Sequence, residues 1–185
     1  MGNFIDKTFT VIADILFKIL PASKKEKDAY MYYKAGLSAQ SKGKFSEALV
    51  NYYESLKLEE DDYDRSFTLQ NIGLIYYDLG KKQKALGYCH LAVEMNSNLP
   101  QALNTIGIIY HSQSMRAQLL ASSSRIEDDA EYERYIQLSE DLYDKAAEYW
   151  NRALELAPDS YDGARNWLKA TGRLRDYNKI EFNGL

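Results

Sequence analysis

The sequence is poor in residues on which several protein classes depend. A single cysteine among 185 residues excludes an internal disulfide and a cysteine-rich zinc site. The 23 lysines and arginines stand against 27 aspartates and glutamates, and the net charge of −4 offers no electrostatic basis for non-specific nucleic-acid binding. Only three prolines and ten glycines interrupt the chain, whereas 16 tyrosines are present. This composition predicts a soluble all-α protein that uses tyrosine as its large packing residue.

Motifs of the common enzyme classes are absent as well. The sequence has no Gly-x-Gly-x-x-Gly, P-loop, His-Glu-x-x-His or Gly-x-Ser-x-Gly motif. Its two histidines lie on different predicted helices without a second type of metal ligand at a suitable spacing; we expect His90 at the surface and His111 in a groove. Cys89 is expected to be a small buried hydrophobic residue. We therefore predict no enzymatic activity, no metal and no other cofactor.

The most apolar stretch, residues 4–20, is too short and too charged to span a bilayer. At helical pitch Lys7, Asp14 and Lys18 share one face. The opposite face carries Ile5, Phe9, Ile12, Leu16 and Ile19. Two interpretations remain open: a helix docked on the rest of the fold, or an amphipathic anchor for a membrane surface or a partner. Residues 1–28 are thus predicted to be an N-terminal helix followed by a polar hinge.

Internal repeats dominate the rest of the chain. Gly36, Gly73 and Gly107 each follow a similar short apolar or aromatic run, and the 34-residue spacing of the last two is the tetratricopeptide period. Each glycine precedes an alanine, then an aromatic or small residue, then a small residue: Ala48, Tyr52, Ser55; Ala85, Cys89, Ala92; and Ala146, Trp150, Ala153. A glycine is needed where two antiparallel helices approach too closely for a Cβ, and the small residues let neighbouring hairpins stack. Gly43 and Gly80 are predicted to end the first helix of their hairpins.

The third repeat is longer than the other two by an insertion of 27 residues. Because no glycine or proline occurs from Asp129 to Ala157, the insertion predicts a lengthened hairpin. Residues 159–170 are predicted to form a capping helix, and the polar chain after Gly172 is expected to be mobile. The predicted fold is an all-α tetratricopeptide-repeat solenoid of three helical hairpins, the third extended, with an N-terminal amphipathic helix and a C-terminal capping helix. The predicted divisions are 1–28, 29–62, 66–99, 100–160 and 161–185.

In such a solenoid the first helix of each repeat lines the concave face, where partners bind. Side chains one turn apart on these helices are therefore predicted to form a groove without lysine or arginine, which suits apolar or amphipathic segments of another protein. The predicted lining is Tyr30, Tyr33 and Leu37 in repeat one, Phe67, Gln70, Leu74 and Tyr77 in repeat two, and Gln101, Asn104, Ile108 and His111 in repeat three.

Several short segments outside the general repeat pattern carry a more specific resemblance. They are Asn3-Phe4-Ile5-Asp6-Lys7-Thr8-Phe9, Tyr63-Asp64-Arg65-Ser66, Asn71-Ile72-Gly73-Leu74-Ile75, Leu99-Pro100-Gln101-Ala102, Ala146-Ala147-Glu148-Tyr149-Trp150 and Asn166-Trp167-Leu168-Lys169. In these segments, and over nearly its whole length, the chain resembles the tetratricopeptide-repeat photosystem I assembly proteins of chloroplasts and cyanobacteria. It departs from them in a longer third-repeat insertion and a longer C-terminal tail.

The resemblance implies a non-enzymatic assembly factor, a chaperone-like scaffold that brings photosystem I subunits together. It implies photosystem I subunits and other assembly factors as partners, no nucleic acid, and peripheral association with the thylakoid membrane of the plastid. The stromal side is implied, or the cytoplasmic side in a cyanobacterium. The alternative is a general co-chaperone or adaptor for another complex. A clamp for an acidic C-terminal peptide needs lysine and asparagine in the first repeat, where Tyr33 and Leu37 stand instead.

Overall fold

The computed structural model describes residues 23–123 and 128–175, in which all regular structure is helical. The seven helices of this part of the chain are α1 (Lys24–Ser41), α2 (Phe45–Leu58), α3 (Asp62–Asp78), α4 (Lys82–Met95), α5 (Pro100–Ala121), α6 (Asp129–Leu156) and α7 (Asp162–Ala170). The chain divides into two compact units, residues 1–68 and 69–185, and the boundary falls within α3. The predicted N-terminal helix, including Ile5, Phe9, Ile12, Leu16 and Ile19, lies outside the described residues.

In the first unit α1 and α2 form a helical hairpin. Helix α1 begins with a capping box, in which the Glu26 backbone N–H donates to Ser23 Oγ at 3.1 Å and the Ser23 N–H donates to Glu26 Oε2 at 2.6 Å. The Tyr52 ring of α2 lies against Gly36, where an added Cβ would sit 2.5 Å from Cε1 of that ring. The Tyr52 hydroxyl donates to Gln40 Oε1 at 2.6 Å. Gly36 therefore makes room for the large buried side chain of the facing helix.

The second unit repeats the same arrangement twice. A Cβ on Gly73 would lie 2.7 Å from Cys89 Sγ and 3.3 Å from the Ala85 carbonyl oxygen. A Cβ on Gly107 would lie 2.6 Å from Cδ1 of the Trp150 ring. The residues predicted to follow each glycine are all buried, with Trp150 the most exposed of them at 6%. The predicted role of the three repeat glycines is confirmed in each hairpin.

Glycine also ends the first helix of two hairpins, as predicted. Gly43 and Gly80 both have φ of 71°, in the left-handed region that an L side chain adopts only at a cost. The Lys81 N–H donates to the Tyr76 carbonyl at 2.8 Å and the Gly80 N–H to the Tyr77 carbonyl at 2.9 Å. These two bonds satisfy carbonyls that the helix leaves without a donor, so the helix stops and the chain reverses.

The third hairpin is extended, because α5 has 22 residues and α6 has 28. The extension has polar contacts of its own. Ser114 Oγ donates to the Ser139 carbonyl at 2.7 Å in a buried position, and the Tyr143 hydroxyl donates to Gln118 Oε1 at 3.1 Å. At 1.5 Å per residue, α6 is on the order of 40 Å long. Residues 63–65, the extra residues between the first two repeats, lie in the first turn of α3.

Helix α7 closes the hydrophobic core of the second unit. Ala164 and Leu168 of α7 pack with the buried residues of α6, which are Ala146, Ala147, Trp150 and Leu154. The expectation of a mobile chain after Gly172 is wrong for residues 173–175. Asn151 Nδ2 donates to the Arg173 carbonyl at 2.9 Å and Asn151 Oδ1 accepts from the Arg175 N–H at 2.9 Å. The buried Asn151 amide thus holds two backbone groups that the polar composition suggested were solvated.

Candidate protein-binding surfaces

The groove residues predicted in the first repeat share one side of α1 and are partly buried. Tyr30, Tyr33 and Leu37 follow at helical spacing, and the Tyr33 ring centroid lies 6.0 Å from that of Tyr52. Phe67, at the start of the second repeat, packs edge-on against Tyr63 with ring centroids 5.0 Å apart. These aromatic side chains combine partial burial with an accessible surface, as hydrophobic protein-binding residues do.

In the second repeat, Leu74 and Tyr77 are partly buried, whereas Gln70 is only 8% exposed. The Gln70 amide therefore lies mostly inside the fold and presents little surface to a partner. In the third repeat, Gln101 is exposed and Asn104 and Ile108 are partly buried. Ile108 also packs against the core that α7 closes.

His111, the last predicted groove residue, lies in a cluster of rings, the C-terminal aromatic cluster, formed with Tyr143, Trp150 and Trp167. The His111 ring centroid is 5.5 Å from Tyr143, 5.3 Å from Trp150 and 5.2 Å from Trp167. Burial lowers the pKa of His111, because charging the imidazole among these rings would cost solvation. At neutral pH the residue is therefore a neutral packing group.

Arg173 fixes this cluster from the end of the described chain. Its Nε donates to Asp144 Oδ1 at 2.9 Å and its Nη2 donates to Glu140 Oε2 at 2.5 Å. The guanidinium carbon also lies 5.8 Å from the ring centroids of both Tyr143 and Trp167. The carboxylate of Asp144, as a hydrogen-bond acceptor, is the main cause of the raised pKa of Arg173, and Glu140 adds to it. The arginine therefore joins α6, α7 and the chain after α7 through both charge and ring stacking.

Sequence reasoning missed that α7 would cover part of the predicted groove lining. The capping helix was expected, but nothing local in the sequence shows that Trp167 contacts His111. The signal available was the pair of tryptophans, since a large ring on a capping helix has to be buried against the repeat before it.

A second ring cluster joins α4, α5 and α6, and it corrects the prediction that His90 lies at the surface. His90 is partly buried, with its ring centroid 6.4 Å from Tyr110 and 5.6 Å from Tyr149. Burial lowers the pKa of His90 and raises the pKa values of Tyr110 and Tyr149. Lys145 lies over the Tyr110 ring and Arg152 over the Tyr149 ring. The cluster packs three helices together and leaves cations at its rim.

The described residues offer little for metal or nucleophilic chemistry. Cys89 is fully buried, as predicted, and desolvation raises the pKa of its thiol to about 12, so no thiolate forms at neutral pH. No group of three histidine, cysteine or acidic side chains in residues 23–123 and 128–175 could hold a metal ion. Within the same ranges, no helix is both long and apolar enough to cross a membrane.

Known proteins resemble the chain over nearly its full length. The photosystem I assembly protein Ycf3 of Phaeodactylum tricornutum is 65% identical over 178 residues, which cover 96% of this chain and 100% of that protein. This chain belongs to the photosystem I assembly protein Ycf3 family. The Ycf3 protein of Trieres chinensis is 61% identical, covering 94% of this chain and 96% of the relative. That of the cyanobacterium Rippkaea orientalis is 53% identical, covering 92% and 91%. The family predicted from short sequence segments is confirmed.

The fold comparison agrees with the sequence repeats. A family profile described as tetratricopeptide repeat matches residues 68–99. The first tetratricopeptide-repeat domain of Spaghetti (RPAP3), solved with an HSP90 peptide, aligns with a TM-score of 0.55 over 80% of this chain and 95% of that one. At 19% sequence identity this likeness concerns the fold alone. The predicted tetratricopeptide-repeat architecture is confirmed.

Proposed function

We propose that this protein is a non-catalytic assembly factor for photosystem I, which holds segments of photosystem I subunits on the first helices of its repeats. The observation that carries this proposal is the 65% identity, over 96% of the chain, to a protein named for photosystem I assembly. The match extends over 100% of the relative, so the similarity is not confined to the repeats.

The side chains of α1 and α3 support a role in holding peptide segments. Tyr33 and Tyr77 are partly buried tyrosines that combine an apolar ring with a hydroxyl, a combination frequent in protein interfaces. An uncharged aromatic surface of this kind suits apolar or amphipathic segments that a membrane subunit exposes before it is assembled.

Photosystem I subunits and other assembly factors are the proposed partners, and the thylakoid membrane is the proposed location. The relatives come from diatoms and a cyanobacterium, all photosynthetic. In the sequence, the spacing expected of the apolar face of a peripheral anchor is followed by Ile5, Phe9, Ile12, Leu16 and Ile19. The proposed side of attachment is the stromal side, or the cytoplasmic side in a cyanobacterium.

The proposal is tested by a pull-down from solubilised thylakoids with two baits, the wild-type protein and the double variant Tyr33→Ala, Tyr77→Ala. We expect photosystem I subunits to be retained by the wild type and lost, by about tenfold or more, from the double variant, because two aromatic anchors are removed. The matched control is Tyr32→Ala with Tyr132→Ala, which removes two tyrosines that are 40% and 44% exposed and outside the predicted lining.

The three possible outcomes of the pull-down lead to different conclusions about the function and the site. Retention by the wild type and by the control, but not by Tyr33→Ala, Tyr77→Ala, supports both the function and the site. Equal retention by all three supports the function and overturns the site. If the wild type retains no photosystem I subunit, the proposed function is wrong. Circular dichroism of each bait shows whether a lost interaction reflects unfolding.

A co-chaperone or adaptor for another complex is the second candidate; the repeat domain of similar fold was solved with an HSP90 peptide, which is a property of that protein. Tyr33 and Leu37 occupy the positions where the clamp for an acidic C-terminal peptide needs a lysine and an asparagine. Binding of an acidic peptide that depends on its free C-terminal carboxylate, and that Leu37→Ala weakens, would favour this candidate over the scaffold.

A further inference from the structure

A cleft in the second unit lies between the turn that joins α3 to α4 and the C-terminal half of α5. Its volume is about 440 Å³, within the range of clefts that take ligands. The side chains that decide its chemistry are Lys81, Lys82, Lys84, Ser112, Gln113 and Arg116. None of these residues belongs to the predicted groove lining, so the cleft is a separate feature of the molecule.

The cleft concentrates positive charge in a chain whose net charge is negative. Lys81, Lys82, Lys84 and Arg116 contribute four cations, and none of them forms an ion pair with a carboxylate of residues 23–123 or 128–175. The three lysines contact neutral groups instead. Lys82 Nζ donates to Ser112 Oγ at 2.9 Å, and the ammonium groups of Lys81 and Lys84 lie 5.9 Å and 5.4 Å from the Tyr76 ring centroid.

Hydrogen-bond donors without acceptors lie beside these cations. Helix α4 begins at Lys82, and Lys81 at its N-cap makes no side-chain hydrogen bond to the first turn. The first-turn N–H groups therefore find no acceptor within the helix and add partial positive charge. Gln113 Nε2 is buried and has no hydrogen-bond partner in the described part of the chain. The Gln113 amide nitrogen is enclosed by the protein, so it is the cations that a ligand in the cleft meets.

We propose that this cleft binds an acidic peptide segment of a partner protein, whose aspartate and glutamate side chains meet the four cations. Carboxylates are acceptors only, so they match a surface that offers charged and neutral donors and no anion. Only eight residues line the cleft, so an occupant contacts it over a short length, as a peptide segment does. The proposal is independent of the proposed function, because it requires only that some partner carries an acidic segment.

The length of α5 contributes to one wall of the cleft. The first helices of the other two repeats end five residues after their glycine, at Ser41 and Asp78, and the same offset from Gly107 reaches Ser112. The added helix length therefore supplies Gln113 and Arg116, which stand opposite the lysines that follow Gly80.

The test uses the full-length protein and a labelled peptide, Glu-Glu-Asp-Glu-Glu, with both ends blocked. Fluorescence anisotropy measures its binding to the wild type and to the triple variant Lys81→Gln, Lys84→Gln, Arg116→Gln. The matched control is Lys42→Gln, Arg134→Gln, Lys169→Gln, which removes the same net charge at exposed positions elsewhere. We expect the wild type and the control to bind alike, and the dissociation constant of the cleft variant to rise by about tenfold or more.

Two further arms complete the test. The matching peptide Gln-Gln-Asn-Gln-Gln is expected not to bind, and binding of the acidic peptide is expected to weaken as salt is added. The proposal is overturned if the wild type does not bind the acidic peptide, or if the control variant loses as much affinity as the cleft variant. It is also overturned if the cleft substitutions leave peptide binding intact and instead abolish binding to phosphatidylglycerol vesicles or to single-stranded DNA. Because both peptide ends are blocked, binding here is distinct from recognition of a free C-terminal carboxylate.

Discussion

At the scale of single residues, the repeat depends on a pairing between a glycine and the side chain that fills the space beside it. Tyr52, Cys89 and Trp150 differ greatly in size, yet each lies against a glycine of the preceding helix. Large partners meet the glycine with a ring edge, whereas the small Cys89 also brings the α4 backbone close. The glycine is therefore required by three different packings, and the partner sets how closely the two helices approach.

Gly73→Ala tests this pairing. The new Cβ would lie 2.7 Å from Cys89 Sγ, on a short and fully buried side chain, and 3.3 Å from a backbone oxygen. We expect the free energy of unfolding to fall by about 1–3 kcal/mol, measured by urea denaturation. Adding Cys89→Ala should recover part of the loss, since the closest contact is removed.

Gly87→Ala is the control for that substitution. Gly87 lies within α4, and a Cβ there would meet open space. We expect this variant to gain about 0.5–1 kcal/mol, because alanine has the better helix propensity and nothing is displaced. If Gly73→Ala proved as stable as Gly87→Ala, the glycine would not be required by packing.

At the scale of helices, the end of the described chain is attached to α6 by the Arg173 side chain and by the side-chain amide of Asn151. Arg173 contacts two carboxylates of α6 and stacks on Tyr143 and Trp167. The Asn151 amide hydrogen-bonds to the Arg173 carbonyl and to the Arg175 N–H. These contacts hold α7 against α6, so the cap is fixed from beyond its own C-terminus. A short amphipathic helix of nine residues gains its stability from such packing rather than from propensity.

Arg173→Ala is expected to lower the free energy of unfolding by about 1 kcal/mol, because an exposed ion-pair network and its ring stacking are lost. Arg173→Lys should lose most of the same amount, since an ammonium group lacks the planar fork that pairs with both carboxylates. Thermal unfolding followed by tryptophan fluorescence measures the change near Trp167. Arg175→Ala is the control, because within residues 23–123 and 128–175 only its backbone N–H is engaged; an equal loss in this variant would contradict the role of Arg173.

At the scale of the whole molecule, residues 1–21 have two possible roles: they anchor the protein to a membrane, or they pack on the rest of the fold. Deleting residues 1–21 is expected to release the protein from thylakoid membranes, because the apolar set from Ile5 to Ile19 is removed with them. Sedimentation of membranes with bound protein measures the release, and circular dichroism measures the remaining helicity. A large fall in the unfolding temperature of the deleted protein would instead mean that the segment packs on the fold.

The local pattern was enough to predict the three helical hairpins and the capping helix, the two glycine turns and the buried small residues. Each of these features follows from the repeat pattern within one hairpin, because the glycine and the small residues recur in the same order in every repeat. The assignment to a family rests on full-length similarity to named relatives. The expectation of a mobile tail is wrong at Arg173 because its polar side chain pairs with carboxylates of α6, which are distant from it in the sequence.

Contacts between distant residues could be known only from the folded chain. His111 meets Trp167 of the capping helix, and Arg116 joins lysines that follow Gly80, although neither pair is linked by the repeat period. The period decides which side of a helix is buried, but the lengths and positions of neighbouring helices decide which side chains meet there. Packing therefore placed His111, a predicted groove residue, in the C-terminal aromatic cluster. It also brought Arg116 beside the lysines that follow Gly80, in a cleft that no single segment of the sequence contains.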